Sequence, residues 1–339
     1  MKELINSIRI FLIYRFYNIG VILERISNKG FALDIFSSSF QNNPYKTYSR
    51  MRSINPIYHS KPTFLRWVTK MDLVQEMIRD DRFSVDDRKF PIAKLRRNEL
   101  RRDGRDIMLD QFENPSILKL DPPDHSRIRK LVSYGFTNRY IKSLETEIND
   151  TINQCLDKTH NLESFDLMNV LAKPLPAIVI AKMMGLPDSD LNQFQTWSEN
   201  LLKEVGGIGS SVKKRKLARD AYEDLIRYFE KIIIERKDNP GDDFIGKLIL
   251  AEEEGDKLNV KEMYGTCLLL LIAGHETTTR LVGNGLFALL NHPDQFECLK
   301  DDHSKIPNAI EEMLRYEPPV HATVCLLYTS PSPRDESTS

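Results

Sequence analysis

The sequence predicts a mainly helical protein with a small β part, and three observations lead there. From Asp121 onward apolar residues recur at helical spacing with few interruptions. The stretch from Val260 to His292 is apolar nearly all round, as a central helix must be. Strand composition, by contrast, is concentrated in one short run, Phe64-Leu65-Arg66-Trp67-Val68-Thr69.

The elements follow in chain order. Ile8 to Leu23, IRIFLIYRFYNIGVIL, is apolar, but Arg9, Arg15 and Asn18 break it below the ~20 residues a spanning helix needs. It also lacks a signal-type cleavage pattern, so it reads as a helix packed on the protein, with weak membrane-surface contact as the alternative that its basic residues allow. Asn43-Pro44 and Asn55-Pro56 bracket a short helix, KTYSRMRSI. The Phe64–Thr69 strand follows, and then DLVQEMIRD, with Leu73, Val74, Met77 and Ile78 at helical spacing. Lys94 to Arg105, KLRRNELRRDGR, is strongly basic and reads as a solvated loop or short helix.

Helices then dominate: HSRIRKLVSYGF, IKSLETEINDTINQCLDKT, and LAKPLPAIVIAKMMG with its stop at Gly185. Gly206 to Ser211 reads as a flexible break before a charged helix from about Lys213 to Lys237. After a turn at Asn239-Pro240-Gly241-Asp242 comes the long apolar helix, which starts at Asn259 and stops near His292-Pro293. The last helix, Pro307 to Tyr316, ends before Glu317-Pro318-Pro319-Val320, where proline imposes an extended segment. Residues 325–339 are rich in Ser, Thr and Pro without period, and read as a non-native, disordered tail. The organisation expected is therefore a lead helix region in 1–40, one domain in 41–324 and the tail in 325–339.

Composition bounds the function. The chain has 339 residues, 41% of them apolar, which is enough to bury a large core. Its 48 Lys and Arg nearly cancel 49 Asp and Glu, so no whole-chain field calls for nucleic acid. Cys155, Cys267, Cys298 and Cys325 lie far apart with no CxxC pair, against a zinc ribbon or a disulfide framework and in favour of reduced thiols in a cytoplasm.

Three motifs carry chemistry. In Asp121-Pro122-Pro123-Asp124-His125-Ser126-Arg127-Ile128-Arg129 a helix begins near the prolines and puts His125 and Arg129 on one face at i and i+4, a donor set suited to paired carboxylates. Taken alone, the pair reads more simply as surface residues near a helix start. In Ala273-Gly274-His275-Glu276-Thr277-Thr278-Thr279 an acid and hydroxyls interrupt the apolar helix, a local conflict that marks a functional position. Gly274 lets a flat ligand approach the backbone, Thr277 bonds back to a carbonyl or holds water in a locally widened helix, and Glu276 beside it relays protons. His275-Glu276 begins a zinc-protease HExxH pattern, but Thr279 stands where the second histidine is required. In Glu311-Glu312-Met313-Leu314-Arg315, Glu312 and Arg315 share a helix face at i and i+3, which alone means only a surface ion pair.

With these motifs in this order, the chain resembles the cytochrome P450 family, the haem-thiolate monooxygenases of the soluble bacterial type, from about Asn43 to Val320. NPYKTYSRMRSINP is similar to the family's opening helix, DPPDHSRIRKLV to the helix that meets the haem propionates, AGHETT to the oxygen-activating helix, and EEMLRYEPPV to the ExxR helix with its following strand. The resemblance implies the mainly helical fold, haem b as cofactor, His125 and Arg129 as propionate partners, and Ala273 and Gly274 as the surface over the haem. It makes Glu276 and Thr277 the proton-delivery pair, and Glu312 and Arg315 a buried structural pair. It also implies O2 and a lipophilic small molecule as substrates and a ferredoxin- or flavodoxin-type electron donor, with Arg127 and Lys130 contributing to a basic docking patch.

The departures count equally. The family's FxxGxxxCxG loop, whose thiolate ligates iron, does not occur, and Cys325 stands about where a propionate-binding arginine is common. The expectation is a P450 fold lacking its C-terminal haem-ligand segment, with no metal ligand among the residues present and no activity as this fragment. The alternative is a non-catalytic helical binder of an apolar small molecule.

Overall fold

A computed structural model of the chain describes residues 2–90, 93–102, 106–202, 212–253 and 255–327. The break expected at Gly206–Ser211 lies outside the described residues, as do residues 328–339 of the expected tail. The described residues form two compact units, one of residues up to Phe83 with Leu327 and one from Ser84 to Leu326.

In the smaller unit α1 (Lys2–Ser27) is followed by α2 (Ser38–Asn42) and α3 (Pro44–Ile54). Pro44 opens α3, where its missing N–H costs nothing. An antiparallel hairpin follows, β1 (Ile57–Ser60) with β2 (Leu65–Val68), in register Ile57 with Val68 and Ser60 with Leu65. The helix after it, α4 (Met71–Arg79), matches the spacing read from the sequence. Leu33, Met51 and Tyr58 form this unit's core, with Trp67 and Phe31 packed on it. Glu24, on α1, is fully buried, yet it accepts from the Leu33 N–H at 2.9 Å, the Lys61 N–H at 2.6 Å and the Tyr58 hydroxyl. A buried acid is tolerable when its oxygens are satisfied in this way.

The larger unit is helical almost throughout. The basic segment forms α5 (Ala93–Arg102), then come α6 (Asp106–Glu113), α7 (Asp124–Ser133), α8 (Asn138–Ser143) and α9 (Glu145–Asp157). The segment read as one helix from Ile141 is split, because Thr137 caps α8 and the Leu144 N–H closes back onto the Ile141 carbonyl at 3.2 Å. A π-helical turn, Met168–Ala172, leads into α10 (Pro174–Met183). That helix ends at Gly185, whose φ of +69° is the left-handed stop the sequence signalled.

α11 (Leu191–Leu202), α12 (Val212–Glu235) and α13 (Phe244–Leu250) follow, then the small hairpin β3 (Glu252–Glu253) with β4 (Asp256–Lys257). The long helix α14 (Val260–Leu290) is closed at its start by a capping box between Asn259 and Glu262. α15 (Pro293–Asp301) and α16 (Ile306–Tyr316) complete the unit.

The core gathers Leu131, Leu225, Phe229, Phe244, Leu248 and Leu271, each at most 1% exposed. Burying one such side chain contributes ~1.5–3 kcal/mol, so α7, α12, α13 and α14 are held chiefly by this apolar contact. Small residues let α14 take close neighbours: a Cβ at Gly283 would lie 2.7 Å from Met168 Sδ, and one at Gly285 would lie 3.1 Å from Met313 Cγ.

Candidate active site

The start of α7 is pinned from outside. Asp121 accepts from the Ser84 hydroxyl, the Val85 N–H at 3.0 Å and Lys89 Nζ at 2.8 Å. Burial alone would raise its carboxyl, but the bonds from Lys89 and Ser84 outweigh that and hold it below the usual carboxylate range. The Pro122-Pro123 peptide that follows is cis.

From there Ile128 and Leu131 turn into the core, while His125 is half-buried and Arg129 exposed. Neither side chain makes a hydrogen bond or ion pair among the described residues. Arg127 is different. It bonds Glu262 and reaches Asp256 at 3.2 Å, tying α7 to the first turn of α14. The expectation that Arg127 serves a docking patch is corrected accordingly: its guanidinium is committed to two carboxylates of its own chain.

On α14 the Thr277 hydroxyl donates to the Ala273 carbonyl at 2.5 Å, one turn back. Of the two alternatives the sequence offered this is the first, the bond back to a carbonyl, and the helix stays α-helical from Val260 to Leu290 without local widening. Gly274 differs from expectation, since the space its missing side chain leaves is filled by Ile180, whose Cδ1 would lie 3.0 Å from a Cβ. Its hydrogen permits α10 to approach, a packing reason for glycine that the sequence did not reveal. Glu276 lies near solvent and is paired. Its carboxylate is 28% exposed and takes two bonds from Arg280, one turn on, at 2.6 and 3.1 Å.

The buried polar group of this segment is His275, 3% exposed. Its Nε2 meets the Lys173 carbonyl at 3.1 Å and its Nδ1 the Ser198 hydroxyl at 2.5 Å. A carbonyl only accepts, so Nε2 carries the proton and Nδ1 accepts from Ser198. One ring thus joins α14, α11 and the approach to α10. Residue spacing offered His275 only the failed HExxH pattern, because its actual partners are 77 and 102 residues away. Thr279, also buried, has the one buried side-chain polar atom without a partner among the described residues.

Burial lowers the His275 pKa, against the opposing pull of the Lys173 carbonyl, Glu199 and Glu276. A histidine depressed in the fold binds its proton more readily once unfolded, so its contribution to stability is complete above the ordinary histidine pKa of about 6.5 and is lost as pH falls. The urea midpoint is therefore expected to drop between pH 7.5 and pH 5.5, and His275→Gln to flatten that drop. An equal drop in both proteins would remove His275 from the account.

Glu312 and Arg315 pair through a fork, at 2.7 and 2.6 Å. The bond from Arg315 holds the Glu312 carboxyl below its usual range. In the chain as given the pair is exposed, Glu312 by 57% and Arg315 by 69%. α16 meets α14 through Met313, and Glu312 faces instead a groove of about 600 Å³ between α14, α15 and α16. That groove lies C-terminal along α14 from Thr277, from Asn284 onward, so it is not the space over Ala273.

The predicted residues thus form three patches, on α7, on the middle of α14 and on α16. No hydrogen bond or ion pair joins the three among the described residues.

The cytochrome P450 family profile matches residues 92–325, within the larger unit. Cytochrome P450 CYP107DY1 of Priestia megaterium is 36% identical over 259 residues, covering 75% of this chain and 62% of its own length. The polyketide biosynthesis cytochrome P450 PksS of Bacillus subtilis is 35% identical over 287 residues, covering 83% of this chain and 68% of its own. Among solved structures, CYP109E1 from Bacillus megaterium in complex with testosterone has a TM-score of 0.68 at 33% identity, over 81% of this chain and 67% of that one. P450BioI in complex with hexadec-9Z-enoic acid ligated acyl carrier protein has a TM-score of 0.70 at 32% identity, over 83% of this chain and 70% of that one.

The chain belongs to the cytochrome P450 family, whose cofactor is haem. It spans 62% and 68% of the lengths of the two relatives named first.

The residues present fit part of that group's needs. His125 and Arg129, donors one turn apart with no partner among the described residues, suit the two carboxylates of a haem. No cysteine here suits the iron. Cys155 and Cys267 are buried, and burial pushes the Cys267 thiol up to about 12. Cys298 is held by Lys305 Nζ at 3.1 Å beside the groove, and burial pushes the Cys325 thiol up. A thiol so shifted resists the deprotonation that ligation requires. Among the described residues no cluster of three or more His, Cys, Asp or Glu could hold a metal ion.

Proposed function

We propose that the whole protein inserts one oxygen atom from O2 into a lipophilic small molecule, and that this chain supplies the carboxylate clamp and the proton-handling face of that site. The observation that carries the reading is the Thr277 hydroxyl held on the Ala273 carbonyl in the middle of α14. A hydroxyl so placed keeps its lone pairs directed outward, where it accepts from or passes a proton to a neighbouring ligand. Glu276, 28% exposed and next in the chain, is the acid beside that hydroxyl, with its carboxylate oriented by Arg280. His125 and Arg129 hold and orient the carboxylates, and Ala273 keeps side-chain bulk away from the ligand's face. Haem, when bound, supplies the oxygen-activating chemistry.

Lipophilic ligands named with two of the solved relatives, testosterone and a hexadecenoic acid on acyl carrier protein, support the substrate class. Electrons would come from a ferredoxin- or flavodoxin-type donor in a cytoplasm, with no nucleic-acid partner. Glu312 and Arg315 would keep a structural role.

The test reads haem affinity rather than turnover. In the protein extended to the length of its relatives, His125→Ala with Arg129→Ala should release haem to apomyoglobin faster by about 10- to 100-fold or more, since a bond to a charged group is worth ~1.5–3 kcal/mol. Unchanged release would sink the clamp assignment.

A further inference from the structure

α1 is apolar on more sides than its own unit uses. Val21 and Glu24 are buried, and Tyr17, Gly20 and Asn28 face the same way. Tyr17 bonds Asp34 and the Ile35 N–H, Asn28 bonds the Tyr58 hydroxyl, and a Cβ at Gly20 would lie 2.9 Å from Pro62 Cα. That spacing of three and four residues completes one helix face. The opposite face carries Phe16, Ile19, Ile22, Leu23 and Ile26, all exposed. A helix apolar on both faces has an outward stripe that water solvates badly.

The charges bordering that stripe have one sign. Arg15, Arg25 and Lys29 are exposed, and the one acid between Arg15 and Lys29, Glu24, is turned inward and consumed by Leu33, Tyr58 and Lys61. The exposed charges of this stretch are thus all positive, beside its exposed apolar side chains. At the turn of the hairpin whose Pro62 rests on Gly20 stands Phe64, 85% exposed. No helix among the described residues is long and apolar enough to cross a membrane.

We propose that the outward face of α1 docks on an anionic lipid bilayer, with the helix lying in the interface and not through it. Apolar side chains sink into the acyl boundary while flanking Arg and Lys meet lipid phosphates, the pairing that distinguishes an interfacial helix from a spanning one. A second copy of the chain would also cover apolar surface, but three cations with no exposed acid would then face the same cations across the interface. The lipid surface supplies the missing opposite charge. This inference stands apart from the catalytic reading, since it uses the smaller unit alone.

The test is co-sedimentation of residues 1–339 with vesicles of phosphatidylcholine alone and of phosphatidylcholine with phosphatidylglycerol. Binding to the anionic vesicles, weakened by high salt, is the expected result. Phe16→Ser with Ile26→Ser, and separately Arg15→Glu with Arg25→Glu, should each lower the bound fraction about tenfold, with far-UV circular dichroism unchanged. These positions point outward, so the fold does not depend on them. Protein left in the supernatant at both compositions would overturn the proposal, as would binding equal in parent and variants. A concentration-dependent dimer abolished by the Phe16/Ile26 change, without vesicle binding, would overturn it in favour of a second copy.

Discussion

Thr277→Ala, in the protein extended to the length of its relatives, is expected to lower product formed per electron consumed by about 10²–10⁴-fold, the usual contribution of a positioned proton-transfer group. The substitution removes the hydroxyl that donates to Ala273 at 2.5 Å and leaves the helix backbone intact, because that bond supplements the α-helical ladder. Alanine is also the better helix former, so stability should hold. Substrate affinity should change little, since the loss is of one polar atom. The measurement is product against electrons drawn from the donor, with oxygen uptake followed in parallel. Product yield equal to the parent would assign proton handling elsewhere, with Glu276 the next candidate. Thr277→Ser is the control: it keeps the donor and should retain most of the yield.

Residues 1–339, mixed with haem b, reduced and exposed to carbon monoxide, are expected to give no thiolate-type red-shifted Soret band. Thiolate ligation needs a deprotonated sulfur with access to iron, and the four cysteines fail for separate reasons. Cys155 and Cys267 are buried in helices, and the Cys267 thiol is pushed up to about 12, so its thiolate is scarce at neutral pH. Cys298 sits with Lys305 on the groove between α15 and α16, away from Ala273 and Thr277. Burial also disfavours the Cys325 thiolate. A stoichiometric complex with that band, abolished by changing one of these cysteines to serine, would overturn the assignment. The same spectrum from the extended protein, with the band present, would separate the monooxygenase from a helical binder without iron.

What the sequence determined by itself was everything governed by neighbours three and four residues apart. The start at Asn259 and the stop before Pro293 of the long helix, the glycine stop at Gly185, the proline at Pro44 and the apolar period of α14 are local signals, and those elements form where the sequence placed them; α15, opened by Pro293, was not among them. The motif residues were legible for the same reason: Thr277 reaches Ala273, Glu276 reaches Arg280 and Arg315 reaches Glu312 within one turn.

Tertiary structure decided what each of these positions faces. The sequence could not show that Gly274 makes room for Ile180, that Arg127 is spent on Asp256 and Glu262, or that His275 closes on Ser198 and Lys173 while Glu276 stays near solvent. It equally left open that Glu312 and Arg315 are exposed and that α1 keeps an apolar face outward. Helical periodicity fixes the direction in which a side chain leaves its own helix. Burial, partner and pKa depend on which distant segment arrives on that side, and for His275 those segments are 77 and 102 residues away, beyond the range over which residue spacing carries information.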